Sequence, residues 1–325
     1  MLPHAQAHNA RIVTVNRRDY PETKPYPPEE LALLQPPASD ATTSELEMLL
    51  EFSRHRGQEL LAFLAELVRE RDIPPANLAE NKGGIVVAGW SMGMLWTNAL
   101  LGSLAASDKE EWGVDLSKYL RRVIIHGTSE NCFIALTVSD THRISDGASF
   151  LFGFPRPPDD YQPIIHPEQF DPVTGLDWVG GYFSHGDTVD TLVQRTQDTD
   201  PLPTTRRMTQ EETAKTVDFQ PGAPGGSDQL LVAAGYRTGL FGKLWEDAFP
   251  LPEQGREEWQ NIEVRFVWCD RSVWEATHAA WWVQAQVAEA RAKGKRVRNV
   301  TTLRFRGANH FVSQWHIRGG RQRKD

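Results

Sequence analysis

Three residues far apart in the chain have side chains that could act together on an acyl carbon: Ser91, Asp270 and His310. Ser91 lies in Gly89-Trp90-Ser91-Met92-Gly93, directly after the run GIVVAG (84–89) and at the head of SMGMLWTNALLGSLAA. A serine hydroxyl becomes a useful nucleophile only when it is lifted from the backbone beside a base. A sharp strand-to-helix turn does this by forcing the serine into strained backbone angles. The same turn brings strand and helix so close that the residues two positions either side must be very small. Gly89 and Gly93 meet that demand. Asp270 follows the run IEVRFVW (262–268), and His310 follows VTTLRF (300–305) within RGANHF. Each therefore sits just past an expected strand, in the order nucleophile, acid, base. The imidazole would take the proton of the hydroxyl, and the carboxylate would hold the imidazole in the right tautomer. Asn309 or Ala308 would shape the turn at His310.

Each of these residues also has a purely structural reading. The glycine-flanked serine can be a tight turn, and His310 a surface-loop histidine. Asp270 can be an N-cap neighbour of the helix expected over 272–294, with Ser272 competing for that cap. Glu275 is the next-best acid, but it lies inside that helix and is expected to point away. The other histidines, His126 and His185 among them, lack a comparable strand-end placement. His4 and His8 have the four-residue spacing of metal ligands without a third ligand nearby, and are expected to be exposed.

The elements that must position the set follow from hydrophobic periodicity. RIVTV (11–15) predicts a buried strand, as do 84–89, 120–126, 262–268 and 300–305. From Ser44 to about Arg71 the apolar spacing is helical, and Ser44 with Glu47 makes a capping box. The region 151–250 is rich in Pro and Asp and only weakly periodic, with QPGAPGGSDQ as a flexible joint, and reads as an insertion or lid. Strand–helix alternation around β-branched strands predicts an α/β fold, a mostly parallel sheet with helices on both faces. The expected organisation is a first core part over 1–126, an atypical insertion over 127–149, a cap over 150–250, a second core part over 251–312, and an atypical tail over 313–325.

Composition narrows the function classes. With 325 residues, 40% hydrophobic and 24% charged, the chain can bury one large core, or a core plus a lid. A net charge of -8 argues against nucleic acid as a partner. Cys132 and Cys269 make a disulfide framework unlikely to be the fold's support. The first residues show no secretory pattern, and no apolar run approaches the ~18 residues of a membrane span. A soluble, cytoplasmic protein is expected, with no metal and no organic cofactor.

VVAGWSMG, FVWCDRS and RGANHF, together with RIVTVNRRDYPETKPY, resemble the α/β-hydrolase superfamily, particularly the fungal AB hydrolase-1-type serine hydrolases. The likeness spans roughly 9–126 and 150–312. It implies hydrolysis of an ester or related acyl bond by a Ser91, His310 and Asp270 triad. A serine at the turn disfavours the branches that use an aspartate there. The resemblance also implies that the Met92 N–H forms part of the oxyanion hole. The second donor would come from an earlier strand and His-Gly loop, which this sequence lacks. That strand would lie between RIVTV and GIVVAG, and its loss leaves a gap in mid-sheet unless the two neighbours pair directly. The interrupted pattern leads to the expectation that 127–149 and 313–325 are translated introns and that the true start lies upstream, the alternative being a lineage-specific loop and a natural short tail. Phe152, Phe154 and Tyr161 are expected walls of an apolar acyl pocket. The alternative function is a catalytically impaired fragment, or a small-molecule-binding protein lacking a complete oxyanion hole.

Overall fold

The β-branched runs assemble, in a computed structural model, into a sheet whose four strands are all parallel and follow the order β1-β2-β3-β4. The structure describes residues 2–37, 43–104, 112–126, 172–251 and 257–311. In chain order these form α1 (Leu2–Ala7), α2 (Pro28–Ala32), α3 (Glu45–Glu70), β1 (Ile85–Trp90), α4 (Gly93–Ser103) and β2 (Leu120–His126). After them come α5 (Pro172–Val179), α6 (Gln210–Thr216), α7 (Ser227–Thr238), α8 (Leu240–Ala248), β3 (Glu263–Cys269), α9 (Trp274–Ala292) and β4 (Asn299–Phe305). The segments 127–149 and 313–325, and the expected pocket walls Phe152, Phe154 and Tyr161, lie outside the described residues.

The long helix α3 starts where its capping box puts it. The Ser44 hydroxyl accepts the Glu47 N–H, and the Glu47 carboxylate accepts the Ser44 N–H at 2.7 Å. Its apolar face, with Leu49, Phe52, Leu61 and Leu64, closes one large core with α4, α7, α8 and α9. Into that core the sheet sends Val123, Ile125, Val264, Phe266, Trp268 and Val300. Burial of side chains of this size contributes roughly 1.5–3 kcal/mol each. The opposite face carries charge: Glu263 accepts from Arg122 on β2, from Arg265 and from Thr301 on β4. Helix cover was expected on both faces; among the described residues this core is one-sided.

Two arginines fasten distant parts of the chain. Arg298 is buried and donates to three carbonyls, those of Ala248 (2.7 Å), Trp259 (3.2 Å) and Leu101 (3.1 Å). Burial lowers its pKa to about 10. Arg17 makes a bidentate pair with Asp228 of α7, 2.7 Å at each oxygen, and stacks over Trp96 of α4.

Three expectations are corrected here. RIVTV forms no strand: Ile12, Val13 and Val15 are 41%, 49% and 56% exposed, and β1 pairs with β2 alone among the described residues. A β-branched run favours extended backbone but needs a partner to become a strand, and RIVTV does not pair with β1. The segment 150–250 is not one unit in its described part, because α7 and α8 belong to the main core. Finally, α9 is capped by Val273 without a side-chain bond, and the buried Ser272 hydroxyl has no hydrogen-bond partner. No helix among the described residues is long and apolar enough to cross a membrane.

Candidate active site

Because all four strands are parallel, their carboxyl ends share one edge. Ser91 follows β1, His126 ends β2, Asp270 follows β3, and His310 lies on the loop after β4. In open parallel sheets this is the edge where ligands bind.

Ser91 occupies the turn between β1 and α4 with φ of 54°. A left-handed conformation at a residue with a Cβ costs roughly 1–2 kcal/mol, so the surroundings must hold it. The Ser91 N–H donates to the His126 carbonyl at 3.0 Å, extending the ladder by one residue, and the Met94 N–H donates to the Ser91 carbonyl at 3.0 Å. Gly89 is required by space. A Cβ there would lie 2.5 Å from the Gly93 carbonyl oxygen and 2.8 Å from the Thr97 methyl. Gly93 is different: a Cβ would meet nothing within 4 Å, so the closeness of strand and helix is felt at Gly89 alone. Met92 directly precedes the first turn of α4, where helix N–H groups carry partial positive charge.

The loop bearing His310 is fastened along its whole length. The Asp270 carboxylate accepts the Gly307 N–H at 2.7 Å and the Arg304 Nε–H at 2.9 Å. The Arg271 N–H donates to the Ala308 carbonyl at 3.0 Å. The Asn309 amide donates to the Gly180 carbonyl and to the Thr204 hydroxyl, and its oxygen accepts the Phe311 N–H. Asn309 thus shapes the turn, as the sequence suggested. Trp90, next to the serine, donates its indole N–H to the His310 carbonyl at 3.2 Å across 220 residues of sequence.

His310 itself is fully buried, and neither ring nitrogen has a hydrogen-bond partner. In this arrangement the imidazole bonds neither to Ser91 nor to Asp270. Its ring lies 5.2 Å from that of Trp90 and 5.4 Å from that of Phe311. Burial, with His126 nearby as a lesser cause, pushes its pKa down to about 3, so the ring is neutral.

Sequence reasoning passed over His126, although it ends an expected strand. Its Nε2 lies 3.7 Å from the Cys269 sulfur, and its ring meets Phe305 edge-on. Burial lowers His126 to about 4, and burial, then Asp270, raises the Cys269 thiol to about 12. The thiol is therefore protonated and a poor nucleophile. Glu275 is buried in the first turn of α9. His8 is exposed, as expected, and the side chain of His4 lies outside the described residues. Among the described residues no three or more His, Cys, Asp or Glu side chains are placed to hold a metal ion.

Beside His310 stands a separate apolar cluster: Trp178, Val179, Phe183, Leu192, Val273, Trp274 and Phe311. It joins the end of α5 and the segment after it, the head of α9 and the His310 loop. Comparison with protein-family models, with curated proteins and with solved structures finds no match to this chain.

Proposed function

We propose that this chain is a serine hydrolase that cleaves a carboxylic ester or related acyl bond through an acyl-enzyme on Ser91. The observation that carries this reading is the turn at residue 91. A non-glycine residue is held at φ of 54° between a parallel strand and a helix, with Gly89 pressed on the helix backbone. Backbone strain of this kind persists where surrounding structure holds it, and it clusters at functional sites. His310 supports the reading, since its loop is brought to the neighbouring Trp90 from the far end of the fold.

In the reaction, the Ser91 oxygen would attack the acyl carbon while a nitrogen of His310 takes its proton. The imidazolium would then protonate the leaving alkoxide, and water would repeat the sequence to free the acid. Met92 N–H, at the head of α4, would face the developing oxyanion. Asp270 would stabilise the imidazolium, which requires one of its oxygens to exchange Gly307 or Arg304 for the ring N–H. The apolar cluster beside His310 fits an apolar acyl group. The chain would act on a small-molecule substrate in the cytoplasm, without a metal or organic cofactor.

The test is a fluorophosphonate probe, which esterifies an activated serine. Covalent labelling that disappears in Ser91→Ala is the expected result. A folded protein that takes no label would instead support the second reading, a small-molecule-binding protein or catalytically impaired relative of such enzymes. The observation favouring that alternative is the His310 ring, bonded to neither expected partner.

A further inference from the structure

The orientation of His310 needs a source other than hydrogen bonds to its ring, because both nitrogens are partnerless and the residue is fully buried. A buried imidazole without partners is free to rotate unless its walls stop it. Among the described residues two aromatic rings stand against it, Trp90 with centroids 5.2 Å apart and planes inclined by 31°, and Phe311 edge-on at 5.4 Å. Phe311 belongs to the same loop and would move with the histidine. Trp90 belongs to the turn of the candidate nucleophile, and its ring also meets Phe311 at 5.6 Å.

We propose that Trp90 is a positioning residue for His310: its ring fixes the face of the imidazole, while its indole N–H adds one bond to a loop already fastened at Asp270, Arg271 and Asn309, so that base and nucleophile are held to one another through a single side chain. The proposal assigns a role to a residue that the chemistry of acyl transfer does not itself require. As a statement about the hydrolase mechanism it rests on the reading above; as a statement about His310 it stands on the contacts alone. Trp90 suits the role because it is 42% exposed, so its other surface faces outward and is not committed to the core. The same exposure means that its loss leaves the large core intact.

Two measurements on the full chain test this. The first is carbethoxylation by diethylpyrocarbonate, followed residue by residue by mass spectrometry. In the wild type, His310 should react at least tenfold more slowly than the exposed His8. Trp90→Ala should raise the His310 rate tenfold or more, whereas Trp90→Phe, which keeps a ring without the N–H, should stay within about threefold of wild type. The second is the rate of fluorophosphonate labelling, expected to fall at least tenfold in Trp90→Ala and to be largely restored in Trp90→Phe. Should Trp90→Ala prove unfolded by circular dichroism, Trp90→Leu replaces it with the same expectations. Equal His310 reactivity in wild type and in a folded Ala or Leu variant overturns the proposal, as does failure of Phe to restore shielding. Absence of labelling in the wild type would instead sink the hydrolase reading, leaving the carbethoxylation result to decide the role of Trp90.

Discussion

Two histidines, the half-buried His185 and the fully buried His310, are treated in opposite ways. His185 has both ring nitrogens bonded: Nδ1 accepts the Val193 N–H at 3.0 Å, so the proton sits on Nε2, which donates to the Ser272 carbonyl at 2.8 Å. Its ring stacks on Phe183 with planes 6° apart. It therefore ties the segment after α5 to the head of α9, and nothing is left for chemistry. His310 has its backbone loop fastened at Asp270, Arg271, Asn309 and Trp90, yet no bond to its ring. An unsatisfied buried polar group costs roughly 1–3 kcal/mol, so a fold that held the imidazole only as structure would gain by satisfying it. The difference is that His185 is held through its ring, whereas His310 is held through the backbone of its loop and through ring packing alone.

Exchanging the side chains one at a time sharpens that contrast. The largest effect expected is on chemistry: His310→Gln should lower fluorophosphonate labelling by roughly 10²-fold or more in a protein that circular dichroism shows to be folded. Unchanged labelling in folded His310→Gln would place His310 with His185 as a structural residue. The reverse pattern is expected for His185→Ala. Removing its ring leaves the Val193 N–H and the Ser272 carbonyl unpaired, costing roughly 1–3 kcal/mol in urea unfolding, while labelling at Ser91 stays within about twofold of wild type.

Acid sharpens the contrast further. Burial depresses the folded-state pKa of His310 to about 3, below the unfolded 6.5. Between these values the unfolded chain binds a proton that the folded chain does not, so stability is full above about 6.5 and falls as the pH drops towards 3. The slope approaches about 1.4 kcal/mol per pH unit for each such histidine. His126, lowered to about 4, and His185, lowered by burial despite its bond to Ser272, act in the same direction. Urea melts from pH 7 to 4 should therefore show Gln at 310 losing less stability with acid than the wild type. Parallel loss in the two proteins would mean that the native imidazole is already solvated or paired.

Much of the scaffold could be read from side-chain periodicity. The runs before Ser91, Asp270 and His310 are strands, each ending within a residue of its expected place, because β-branched residues buried in a parallel sheet leave a plain signature. The start of α3 was legible in Ser44 and Glu47, two residues whose geometry is local. What escaped was whatever depends on a distant partner. RIVTV has the composition of a strand, but nothing in its five residues says whether a neighbour will come alongside. The serine at 272 looks like a cap, yet Val273 takes the place. At the candidate site the turn and the order of the three residues were readable. The bond from Trp90 to the His310 carbonyl, across 220 residues, and the use of Asp270 oxygens by Gly307 and Arg304, across 37 and 34, arise only when the strands are folded onto one edge.

The guanidinium of Arg298 bears on the order of events during synthesis. It completes the ends of two helices and a turn whose carbonyls belong to residues 101, 248 and 259, all made before it. A nascent chain carries those three oxygens, still without this partner, until position 298 has cleared the ribosome. These three bonds are thus among the last contacts a growing chain can make, and a chain that stops before residue 298 lacks all of them.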